Sequence, residues 1–258
     1  MNATKFFILV ISSLLFSCED VIDLNLNDAN PQLVIIGEIH DQADQQVITL
    51  SKTMAFNQEG GFDGVSGAQV EVTDGLGVVH QFVEHSPGRY VADHFFGRIR
   101  ETYHLLVRVD GNTYTAVSQM PPMIQIDSVG TAVTHLFGEE QKYVAIAYQD
   151  PPEQPNYYRY MLRVNGGPAR FAHAANDKFN DGNYITEHVG DADEELRTGD
   201  AVTVYMQCVD QAMFDFWNAV QLTNPGTAAP ANPPSNIEGG ALGYFSAYSM
   251  AELNLEIK

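Results

Sequence analysis

A nucleophile, a metal site or an acid–base pair must be built from a few residue types. There are two cysteines in the 258 residues, Cys18 and Cys208. Cys18 follows the apolar run from Phe6 to Phe16 and one small residue, Ser17. At such a place a thiolate can attack a lipid donor and form a stable thioether. Cys208 closes the strand-like run that begins at Val202, and its neighbours Gln207, Val209 and Asp210 supply neither a base nor a positive field. It reads as a buried, inert thiol. Asp191, Asp193, Glu194 and Glu195 lie together just after Glu187 and His188. Oxygen-rich loops of this kind can hold calcium, whereas solvated acidic loops are commoner, so these four are candidate metal ligands against a solvated alternative. Asn176 to Asn183 has the composition of a calcium loop but not its spacing. Counted from Asp177, the third position is Phe179 and the twelfth is His188, where an EF-hand needs an oxygen ligand and a glutamate. Asn180-Asp181-Gly182 therefore reads as a tight turn. His80, His85, His94 and His104 share one stretch without the close spacing that brings imidazoles to one metal. Serine elbows, phosphate-binding loops and dinucleotide fingerprints are absent. No cofactor, no catalytic set and no enzymatic activity are expected. Tyr157, Tyr158, Tyr160, Trp217, Tyr244, Phe245 and Tyr248 are dense enough to form either core or a stacking surface for a sugar or partner.

The N-terminus has the anatomy of a secretory signal: Lys5 near the start, about ten apolar residues, then a small residue at the cut. The apolar run is shorter than the roughly 20 residues that cross a bilayer as a helix. Leu15-Phe16-Ser17-Cys18 resembles the lipobox of lipoprotein precursors, which predicts cleavage before Cys18 and lipidation of its thiol. Two or more acyl chains then hold a protein durably to one leaflet. Glu19, Asp20 and Asp23 follow, and an acidic patch at this place resembles the surface-export signal of Bacteroidota lipoproteins. The net charge is −20, and cleavage would remove Lys5 but no acid. Such a surface repels phosphate backbones, so nucleic acid is not an expected partner.

The elements that must position these residues read as strands. Leu33-Val-Ile-Ile36, Gln46 to Leu50, the alternating Val70 and Val72, Val78 to Phe82, Tyr90 to Ala92, Tyr103 to Val109 and Thr113 to Val117 are separated by turn signals. Several short strands at such spacing predict a β-sandwich over residues 32–120. Pro121 and Pro122 mark a linker. Beyond it, Ile124 to Val129, Tyr143 to Tyr148, Tyr157 to Val164 and Asp200 to Val209 read as strands of a second β-rich domain, 121–258. In Tyr157 to Val164, Tyr158, Tyr160, Leu162 and Val164 share one face, with Arg159 and Arg163 on the other. Met213, Phe216, Trp217 and Val220 recur at helical spacing behind an N-cap candidate, Asp210, and Asn224-Pro225 ends the pattern. One amphipathic helix of about three turns is expected there. A glycine-punctuated strand region, Gly239 to Tyr248, and the alternating Leu253 to Ile257 close the chain. The whole reads as a signal peptide 1–17, a lipidated tether 18–31 and two sandwich-like β domains, immunoglobulin- or transthyretin-like, the second with one short helix.

Cys18-Glu-Asp-Val-Ile-Asp, Val34-Ile-Ile-Gly-Glu-Ile, Gly88-Arg-Tyr, Asp150-Pro, Asn156-Tyr-Tyr-Arg and Asn236-Ile-Glu-Gly-Gly-Ala-Leu-Gly-Tyr-Phe-Ser-Ala-Tyr248 occur in that order. The chain thereby resembles the Bacteroidota lipoproteins of domain-of-unknown-function family 4249, over essentially the whole length after Cys18. The resemblance implies an outer-membrane, surface-exposed lipoprotein whose partner is a TonB-dependent β-barrel receptor, and it carries no catalytic residues. An accessory or substrate-capture role follows from it. The alternative is an adhesive or structural envelope module.

Overall fold

The computed structural model describes residues 31–42, 45–54, 63–136, 138–190, 195–223 and 232–258. Cys18, Asp191, Asp193 and Glu194 lie outside them. The first half contains β1 (Leu33–His40), β2 (Gln45–Lys52), β3 (Gln69–Thr73), β4 (Val79–Ser86), β5 (Arg89–Asp93), β6 (Thr102–Val109) and β7 (Asn112–Gln119). The second adds β8 (Ile126–Leu136), β9 (Glu139–Gln149), β10 (Tyr157–Val164), β11 (Arg170–Asn176), β12 (Tyr184–Val189) and β13 (Ala201–Val209). Helix α1 (Gln211–Leu222), β14 (Ile237–Glu238) and the long β15 (Leu242–Glu256) complete an all-β fold with one helix among the described residues. Every strand expected from alternation is present. Three were not expected: the two-residue β14, and β11 and β12, which flank the Asn176–Asn183 turn and whose apolar pattern is interrupted by Arg170, His173 and Glu187.

Twelve strands form one sheet, ordered β11-β10-β13-β15-β1-β2-β5-β4-β3-β6-β7-β14, and β12-β9-β8 form a second. The long sheet curls back on itself: the Ala247 amide donates to Ser118 Oγ at 2.8 Å, and Asn236 Nδ2 donates to the carbonyls of both Val117 and Phe245. Ile35, Ile39, Ile48, Tyr90, Tyr103 and Leu105 are enclosed between the two limbs. In the second half the small sheet covers β10 and β13, enclosing Val144, Ile146, Tyr158, Tyr160, Val204 and Met206. Each enclosed aliphatic or aromatic side chain contributes roughly 1.5–3 kcal/mol by leaving water.

Strand β15 joins the halves. Its first part runs parallel to β1, from Val34↔Leu242 to His40↔Tyr248, and its second part is antiparallel to β13. Close approach demands glycine here. Gly243 has φ +93°, and a Cβ on it would overlap the Ile35 carbonyl, while Gly37 leaves room for the buried Phe245 ring. Residues 31–54 and 60–258 cluster as one compact unit. The boundary at Met120/Pro121 separates most of two cores but not the sheet, because Ile237, Ala241, Phe245 and Ala247 return to the first core.

Candidate functional site

The sequence candidates are dispersed. Glu195 is exposed, and its three acidic neighbours lie outside the described residues. His80 Nε2 donates to Asp74 Oδ2 at 3.0 Å and the ring stacks on Phe95, whereas His85, His94 and His104 are exposed and do not converge. Tyr158, Tyr160 and Phe245 are core, and Tyr244 and Tyr248 are also buried, so these five do not form an exposed stacking patch. Asn180-Asp181-Gly182 makes the expected turn, closed by Asn183 N donating to Asn180 O at 2.9 Å, with Gly182 at φ +70°.

That turn brings Asp177 and Asp181 beside Asp150, which directly follows β9. One oxygen from each of the three carboxylates lies within 4.8 Å of the others, and among the described residues this is the group able to hold a metal ion. Sequence spacing did not reveal it, because β10 and β11 both lie between Asp150 and the other two. Protein donors already serve the trio. Tyr158 Oη and the Gly182 amide donate to Asp150, the Asn156 amide and Nδ2 to Asp177, and the Glu153 amide to Asp181. Burial, and then the charges of Asp177 and Asp181, push the Asp150 carboxyl above its usual range.

The loop 150–156 that carries part of this cluster also walls a cleft of 310 Å³ where the two halves meet. Met120 from the end of the first core, Tyr158 and Cys208 from the second, and Val209 from beneath the helix form its buried floor. Pro121, Pro122, Pro155 and Tyr157 make stiff sides. Arg100, Gln119, Gln154, Asn156, Asp210 and Gln211 supply a polar rim. The lining is about equally polar and apolar, and a concavity of this kind at a junction between cores can hold a small ligand. Its thiol is poor chemistry: burial pushes Cys208 up to about 11, so it is protonated at neutral pH and a weak nucleophile.

Local bonds shape the cleft. Asp210 caps α1 as expected, Oδ1 accepting from Met213 N at 3.0 Å, while Oδ2 accepts from Ser118 Oγ at 2.6 Å and from Gln119 N at 3.2 Å. One carboxylate thus ties the helix start to β7. On the opposite side, Arg100 N donates to Met120 O at 2.8 Å and Met120 N to Glu101 O at 2.9 Å.

Arg159 corrects the expectation of a strand with one solvated face. It is only 4% exposed, because α1 lies over that face and puts the Trp217 ring 3.8 Å from its guanidinium. Arg159 Nη1 donates to Glu38 Oε1 at 3.0 Å, and Tyr244 and Tyr248 hydroxyls donate to the same carboxylate. Desolvation would raise the Glu38 carboxyl, but the Arg159 charge and the hydrogen bonds from Arg159 and Tyr244 outweigh it and hold the group below its usual range. This pair links β10 of the second half to β1 of the first.

A family model described as "Domain of unknown function (DUF4249)" matches residues 19–254. No curated protein matches the chain.

Proposed function

The chain belongs to this family of unknown function, and from that premise we propose that it is a lipid-anchored outer-membrane protein that captures a small ligand for a TonB-dependent receptor. The observation that carries the reading is the junction cleft: a preformed 310 Å³ concavity with a polar rim and a protonated thiol in place of an activated nucleophile. Such a site holds a molecule without transforming it. The lipobox at Cys18 supplies the anchor in this reading, and the segment from Cys18 to Pro31 can span at most about 45 Å. Attachment at that distance raises the effective concentration of the body beside a barrel in the same membrane, so the contact between them need not be tight.

The experiment is affinity purification of the tagged, lipidated chain from membranes in mild detergent, beside a Cys18→Ala variant. Co-purification of a large β-barrel receptor with the wild type, and its loss with the variant, is the expected result. Recovery of no barrel with the wild type overturns the receptor partnership and favours an adhesive or structural envelope module, which would bind polymer without one.

A further inference from the structure

We propose that the junction cleft selects ligands carrying a carboxylate, which Arg100 grips at its rim. This rests on reading the cleft as a ligand-capture site and names what it would capture. Arg100 lines the cleft, and its guanidinium forms no ion pair, side-chain hydrogen bond or ring contact with any described residue. The chain has 33 acidic and 13 basic residues. Other arginines also lack a carboxylate partner, but Arg89, Arg108 and Arg163 engage Gln45, Gln69 and Tyr205, whereas the Arg100 donors are unspent and border the cleft. Its backbone is also strained, with φ +68°, a region that costs an L-residue with a Cβ about 1–2 kcal/mol. The two bonds to Met120 hold it there. Glycine would fit this backbone better, and of the five described non-glycine residues with positive φ, Arg100 is the one that lines the cleft; such strained residues cluster at binding sites.

Charge in the rest of the cleft is compatible with an incoming anion. Asp210 accepts three hydrogen bonds from Ser118, Gln119 and Met213, so its charge is largely spent within the protein. The planar guanidinium fork matches a carboxylate in two parallel hydrogen bonds. Gln119, Gln154 and Gln211 offer both donors and acceptors to a neutral polar body, and Pro155 and Tyr157 offer flat apolar faces. The volume equals that of about ten water molecules, the size of a dipeptide or a single acidic sugar. Both present the same carboxylate.

The test is calorimetric titration of the full chain in mild detergent with two matched pairs: acetyl-alanyl-alanine against its C-terminal amide, and galacturonate against galactose. The expected result is that the acid of at least one pair binds ten- to a hundredfold more tightly than its neutral partner, and the pair that discriminates identifies the source of the carboxylate. Arg100→Gly should abolish that preference while leaving the melting temperature within about 3 °C, since glycine accepts the backbone angle. Arg100→Lys should keep part of it. Equal affinity within both pairs, no binding at all, or an unchanged preference in Arg100→Gly overturns the proposal. Failure here with a barrel still co-purifying removes only the carboxylate assignment; success without a barrel leaves the site standing and removes the receptor.

Discussion

Glu38 and Arg159 come from strands 121 residues apart in sequence, and their pairing depends on neighbours neither strand can supply. A buried carboxylate whose arginine is removed keeps its desolvation cost and loses its compensation. Arg159→Ala should therefore lower stability by about 3 kcal/mol in urea melts, towards the low end for a buried pair because the Glu38 side chain is 31% exposed. The pH dependence has a definite sign. The folded-state pKa of Glu38 lies below its ordinary 4.5, so its stabilising contribution is complete above that value and is lost as pH falls through the lower folded one. Glu38→Gln should remove this part of the acid sensitivity. Urea melts at neutral pH and below pH 4.5 check it, and equal acid sensitivity in the two proteins would refute the assignment. None of this was legible in the sequence, where Arg159 alternates like a solvent-facing residue. Alternation reports a strand's two faces but not which face a distant helix will cover.

Helix α1 was legible at both its period and its start. Met213 is fully buried as the pattern requires, and Asp210 caps the first turn. What the pattern leaves out is the second task of that cap, the bonds from its other oxygen to Ser118 and Gln119. An N-cap lost to alanine costs about 1 kcal/mol. Asp210→Ala should cost about 2 kcal/mol or more, because Ser118 Oγ, which is buried, also loses its acceptor. Denaturant midpoints of Asp210→Ala and Ser118→Ala, with the double variant, measure the coupling; a loss no larger than an ordinary cap would show the tie to β7 to be idle. The turn Asn180-Asp181-Gly182 was likewise readable, since glycine supplies a positive φ cheaply. The meeting of Asp181 and Asp177 with Asp150 was not, because local spacing carries no information about a residue two strands away.

At the scale of the molecule, the two cores share one long sheet, and β15 is the strand they share. Residues 31–120 expressed alone should fail to fold cooperatively, because that fragment lacks Phe245, Ala247 and Ile237 from its core and exposes the edge of β1 where β15 pairs. Dispersed amide resonances and a sharp melt from this fragment would contradict it. The amino-acid order by itself determined the β class, the positions of most strands, the helix with its cap, the resemblance to the family and the candidate anchor at Cys18. All of these are written in local period, turn chemistry or contiguous motif. Only the tertiary structure decided that β15 crosses between the halves, that Arg159 is buried under Trp217, that three aspartates meet, and that Arg100 stands at a cleft floored by Met120 and Cys208. Those features arise from which faces are brought into contact, and that is set by close packing among residues far apart in the chain.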